Sequence, residues 1–127
     1  MSAGRAAKKV WDALDAHAQT LAGTRVDIKW GHDRCHLVAG KMFAVFRLDE
    51  SGQPRGVALK VDDSRFLELT GLSGVHPAPY LARAHWVWFE HHDALPLSEL
   101  RALLTRSHAL IAAKLTRKLR TELGLTP

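Results

Sequence analysis

Only one cysteine, Cys35, stands in the 127 residues, so no internal disulfide can form. Long apolar runs are missing too; none approaches the roughly 20 residues that cross a bilayer. The stretch from Met1 to Val10 carries Arg5, Lys8 and Lys9 with no apolar segment behind them, unlike a secretory signal. There is no glycine-rich phosphate loop ahead of a helix, no internal repeat, no low-complexity segment and no linker. These absences lead to the expectation of one cytoplasmic domain over residues 1–127, with no membrane partner. Hydrophobic residues make up 46% and charged residues 24%, a balance suited to a single core. The net charge of +5 favours polyanions as partners.

Val10, Leu14, Ala18 and Leu21 recur at helical spacing and predict a first helix over Ala6–Leu21, stopped by Gly23. Four strands follow: Arg25–Trp30, Arg34–Ala39, Lys41–Leu48 and Arg55–Val61. Turn residues at Gly31-His32-Asp33, Gly40 and Asp49–Pro54 separate them. Val26, Ile28 and Trp30 share one face of the first strand, and Cys35 and Leu37 face the core from the second. Asp62 or Ser64 caps a short helix over Arg65–Leu69, and Leu72–Pro79 reads as a loop. His85–Glu90 is a fifth strand, apolar on both faces and so either central or covered on both sides. Ser98 is the candidate cap of one long last helix, with Leu100, Leu103, Leu104, Leu110, Ile111, Leu115 and Leu119 as its stripe. The fold class is α+β: an antiparallel meander with flanking N- and C-terminal helices.

Pairing Phe46 with Val57 also sets Ala44 against Leu59 and Met42 against Val61, six apolar residues on one face. The other face then carries Lys41, Phe43, Val45 and Arg47 beside Ala58 and Lys60. Alternation adds Lys29, Arg34 and His36, with Asp27 as the acid among them. Such a face is either a solvent surface covered by long cationic stems or a platform where cations meet phosphates and aromatics meet bases. A second basic cluster, Lys114, Arg117, Lys118 and Arg120, lies toward the chain's end, where cations also suit a helix C-terminus.

Other chemistry finds little support. His32, His36, His91 and His92, with Asp33 and Cys35, do not form a ligand set at metal spacing, so no metal and no cofactor is expected. Ser107 and His108 are helix neighbours whose side chains diverge by about 100°, too far for a nucleophile and its base. A buried Cys35 is inert. No enzymatic role is expected.

Trp30-Gly31, Gly40-Lys41-Met42-Phe43-Ala44, Val57-Ala58-Leu59-Lys60, Pro77-Ala78-Pro79-Tyr80, Trp86-Val87, Ser107-His108 and Lys114-Leu115 occur in one order over Val10–Leu119. In this the chain resembles the MmcQ/YjbR family, although many members carry Ser-Tyr where this chain has Ser107-His108. The resemblance implies an α+β fold similar to secretion-chaperone-like and frataxin-like architectures, a double-wing DNA-binding description, and no catalytic residues. Lys41 and Lys60 match recurring family lysines, and Tyr80 a recurring tyrosine. The expected function is duplex DNA binding without sequence preference through Lys41, Arg47, Arg55, Lys60, Lys29 and Arg34. The alternative is a secretion-chaperone-like protein-interaction module, whose partner would meet Phe43 and Val45.

Overall fold

Val10, Trp11, Leu14 and Ala18 line the inner face of α1 (Ser2–Thr20), the first element in a computed structural model that describes residues 2–79 and 81–125. The chain continues through β1 (Thr24–Lys29), β2 (Asp33–Val38), β3 (Lys41–Leu48), β4 (Pro54–Lys60), α2 (Asp63–Thr70), β5 (Val75–Pro77), β6 (Trp86–Phe89), α3 (Leu97–Ala112) and α4 (Arg117–Glu122). The strands form one sheet in the order β1-β2-β3-β4-β6-β5, every pair antiparallel. This is the α+β class that the alternating strands and flanking helices predict. Helices α1 and α3 pack together against one face of the sheet. Ala39 and Gly40 join β2 to β3 with φ of 50° and 79°, the positive pair that a two-residue hairpin turn requires.

The register of β3 with β4 is the predicted one: Phe46 opposes Val57 and Ala44 opposes Leu59, and all four are fully buried. Val61 is buried as well. Met42 is not among them, because β3 bulges. His36 opposes Ala44 while Leu37 opposes Met42, so Phe43 is an extra residue. A bulge reverses the alternation beyond it. Phe43 therefore turns toward the helices, with its ring 5.0 Å from that of His108 on α3. Met42 and Leu37 turn to the opposite face.

Ser107 fills the gap where β3 and β4 part. Its hydroxyl donates to the Phe43 carbonyl at 2.6 Å and accepts the Lys60 amide at 3.0 Å. It thus stands in for a missing rung of the ladder, from a fully buried position on α3. A short polar residue at this point of an apolar helix face is explained by that bridge.

Other boundaries differ from expectation. The last helix is two. It ends at Ala112, and α4 starts anew with the Thr116 hydroxyl accepting the Leu119 amide at 3.2 Å. Pro96, not Ser98, occupies the cap position of α3. Asp62 precedes α2 but makes no cap bond, because both its oxygens accept from Arg106, each at 2.9 Å. Part of the expected loop pairs with β6 as β5, which makes β6 an interior strand with neighbours on both sides. Val26 and Ile28 lie on the helix side, yet they are 45% and 49% exposed because β1 is the sheet's edge. Tyr80 lies outside the described residues.

Candidate functional site

The sheet face away from α1 and α3 holds a groove of about 580 Å³. Met42 and Val45 from β3, Ala58 from β4 and Trp88 from β6 make its floor; Ala78, Pro79 and Leu81 form a wall. Trp30, Asp33 and Arg47 complete the rim. Each arrives by a local cause. The bulge at Phe43 turns Met42 onto this face. Trp30 and Gly31 take φ of 55° and 75° in the turn after β1, which frees Trp30 from the strand's alternation. It is 65% exposed rather than part of the core. Gly56 gives Trp88 room: a Cβ there would stand 2.6 Å from Trp88 Cζ2 and 2.7 Å from the Phe89 carbonyl oxygen.

Arg47 supplies the exposed charge of the groove, while the carboxylate of Asp33 beside it is mostly buried. Its guanidinium carbon lies 5.9 Å from the Trp88 ring centroid, a cation–π distance, and its Nε is 3.9 Å from Asp33 Oδ1. The side chain remains 62% exposed, and its head faces solvent beside an apolar hollow.

The six cations selected from sequence do not form one patch. Arg47 is at the groove and Lys29 is half-buried at the end of β1. Lys60 shares the groove's side of β4 by alternation with Ala58, but it is only 9% exposed and its Nζ donates to the Ala84 carbonyl. Burial lowers the Lys60 pKa, the charge of Lys114 lowers it further, and Asp63 and Asp62 oppose the shift. Lys41 lies opposite Val38 on the helix side. Arg34 is on that side too, with its Nη1 2.8 Å from Asp15 Oδ2. Arg55 opens onto a shallow recess with Lys8, Trp11 and His91, also on the helix side. The expected cationic platform is thus mainly an apolar groove with one arginine.

Histidines are scattered in the same way. His36 is fully buried against Asp15, while His32 is exposed in a turn, 2.9 Å from Asp33. Among the described residues, no three His, Cys, Asp or Glu side chains stand close enough to hold a metal ion.

Cys35 is fully buried, although on the groove's side of β2, opposite Val45, rather than facing the helices. Burial is the largest cause that pushes its thiol up to about 11; the charge of Asp33 adds to it. Native protein is expected to react with a maleimide only as fast as it unfolds, and denatured protein at once. Labelling complete within seconds under native conditions would contradict that burial.

Sequence reasoning missed Trp30, Met42, Trp88 and the wall of Ala78, Pro79 and Leu81 as groove residues. The one local signal was Trp30-Gly31, a large aromatic beside a residue that permits a left-handed turn. The bulge that exposes Met42 leaves no compositional mark.

The YjbR family model matches residues 19–110, from the end of α1 through most of α3. The chain belongs to the YjbR family. A crystal structure of the Deinococcus radiodurans protein DR2400, with a DUF419 domain, is similar to this YjbR chain at a TM-score of 0.77 and 27% identity. The match covers 91% of this chain and 88% of that one. A crystal structure of a Pseudomonas syringae protein shares the fold at a TM-score of 0.62 and 20% identity, covering 78% of this chain and 95% of the other. No curated protein matches. Among the described residues, no helix is long and apolar enough to cross a membrane.

Proposed function

We propose that this YjbR protein is a binding module that seats an acidic segment of a partner protein, bearing an aromatic or leucine side chain, in the open-face groove. One observation carries the reading: a concave apolar hollow on the sheet face that α1 and α3 leave free, rimmed by an indole 65% exposed. Contiguous exposed apolar surface of this kind marks binding sites in proteins of this size. Arg47, far more exposed than the Asp33 carboxylate 3.9 Å from it, and the net charge of +5 favour an acidic occupant. Among the described residues the lining is mainly apolar, with Asp33 and Arg47 as its charged groups, which supports a binding role.

A second reading has its own support. The break between α3 and α4 leaves Lys114, Arg117 and Lys118 exposed. Duplex DNA without sequence preference would meet the protein there, with Lys41 and Arg55 outside the groove, and not through the sheet face.

Anilinonaphthalene sulfonate, an apolar aromatic with one anion, serves as the probe of the groove, and a labelled DNA duplex as the probe of the alternative. The dye is expected to bind saturably, and Trp30→Ala to weaken it roughly tenfold or more, as for an interface anchor. Duplex binding, where present, should be indifferent to Trp30→Ala and fall steeply with salt. No saturable dye binding, or equal affinity in Trp30→Ala, would remove the groove as the site. A Trp30→Ala variant that loses DNA as well would hand the groove to nucleic acid.

A further inference from the structure

The two edges of the sheet are built differently. At one end, β5 has three residues and carries Pro77, both devices that discourage a further strand. At the other, β1 has six residues with no proline and no bulge toward β2. Its outer backbone row has no strand partner among the described residues. Arg25, Val26, Asp27 and Ile28 are all exposed, Val26 and Ile28 to nearly half of their surface.

Charges on an edge strand commonly repel a second strand. Here they alternate in sign, as Arg25, Asp27 and Lys29 with apolar residues between. An antiparallel copy laid against β1 about a two-fold axis at Val26 sets each Arg25 opposite the other copy's Asp27. The same register sets Val26 against Val26 and each Thr24 against Ile28. All five positions fall within β1, and each side of the joined sheet keeps like with like: charged pairs on one face, apolar and Thr–Ile pairs on the other. An axis at Ile28 would require pairing past Lys29, where Trp30 at φ 55° has already left the strand.

We propose that two copies of the chain join edge to edge through β1, antiparallel about Val26, into one continuous sheet. A two-fold contact of this kind is self-complementary and closes on itself, so it makes a dimer and not a fibre. The groove stays open in each copy, because Trp30 lies beyond the paired positions.

Light scattering after gel filtration, over a range of concentrations, tests this with three proteins. The 14.1 kDa wild type is expected to shift toward twice that mass as concentration rises. Asp27→Arg sets like charges against each other twice and should raise the dimer dissociation constant roughly tenfold or more. The double variant Arg25→Asp with Asp27→Arg restores the pairing to itself, so it should dimerise again yet not mix with wild type. Near-ultraviolet circular dichroism and a cooperative urea transition show that each variant is folded. A wild type that stays monomeric at its highest soluble concentration overturns the proposal. So does an Asp27→Arg protein as dimeric as wild type, or a double variant that remains monomeric.

Discussion

Ser107→Ala is expected to lower stability by about 2–5 kcal/mol, although it removes a single oxygen atom. The hydroxyl satisfies two buried backbone groups together, the Phe43 carbonyl and the Lys60 amide. Without it both are left in a site where no water reaches Ser107 itself. A buried polar group without a partner costs about 1–3 kcal/mol, and two are exposed to that cost at once. The strands do not close the gap themselves, since the β3–β4 ladder ends at Ala44 and Leu59, one residue short of Phe43 and Lys60. For a domain of this size the thermal midpoint should fall by on the order of 10 °C. Ser98→Ala, on the exposed first turn of the same helix, is the control and should change stability by less than about 0.5 kcal/mol. Urea unfolding of the three proteins measures the difference. A Ser107→Ala midpoint equal to that of Ser98→Ala would mean that the bridge is not made in solution.

Ser107 also marks how far sequence reasoning reaches. As a motif, Ser107-His108 looked like failed catalytic chemistry; its role is visible only once α3 is laid across the end of two strands. Hydrophobic alternation does locate the strands and the β3–β4 register, because a one-residue slip would turn Phe46, Ala44, Val57 and Leu59 to solvent together. It cannot locate a bulge, since Met42 and Phe43 are both apolar and either could face the core. That single ambiguity displaced Lys41 and Phe43 from the face on which they were expected. Arg34 and His36 were misplaced for another reason: a cation and a histidine read as solvent-facing, whereas here a carboxylate from α1 meets them beneath the helix. The break after α3 is equally hidden, because the leucine stripe runs on through Leu115 and Leu119 into α4. The groove therefore had to come from the fold. Its floor is drawn from three strands, and its clearest residue, Trp30, lies in a turn.

Asp15→Ala is expected to destabilise the protein by about 2–4 kcal/mol near neutral pH, and by less near pH 3. Asp15 points from α1 onto the sheet, where Oδ1 accepts from His36 Nε2 at 2.7 Å and Oδ2 from Arg34 Nη1 at 2.8 Å. His36 is fully buried between the rings of Phe43 and Phe46, with Nδ1 lacking any partner. Among the described residues Asp15 is therefore the only group bonded to this imidazole, and alanine would leave both ring nitrogens buried without one. Burial by itself raises the Asp15 carboxyl, but the His36 hydrogen bond and the charges of His36 and Arg34 outweigh it. The folded carboxyl is held below its ordinary value of 3.8. A carboxyl depressed in this way contributes stability in full above the unfolded value and loses it as pH falls through the folded one. Wild type should thus approach Asp15→Ala in stability as pH falls below about 4, with Asp15→Asn between them at pH 7 because the amide oxygen can still accept one bond. Urea midpoints of the three proteins at pH 7 and pH 3 give the comparison. A gap between wild type and Asp15→Ala that is as wide at pH 3 as at pH 7 would show that packing of the Asp15 side chain, and not its charge, holds α1 to the sheet.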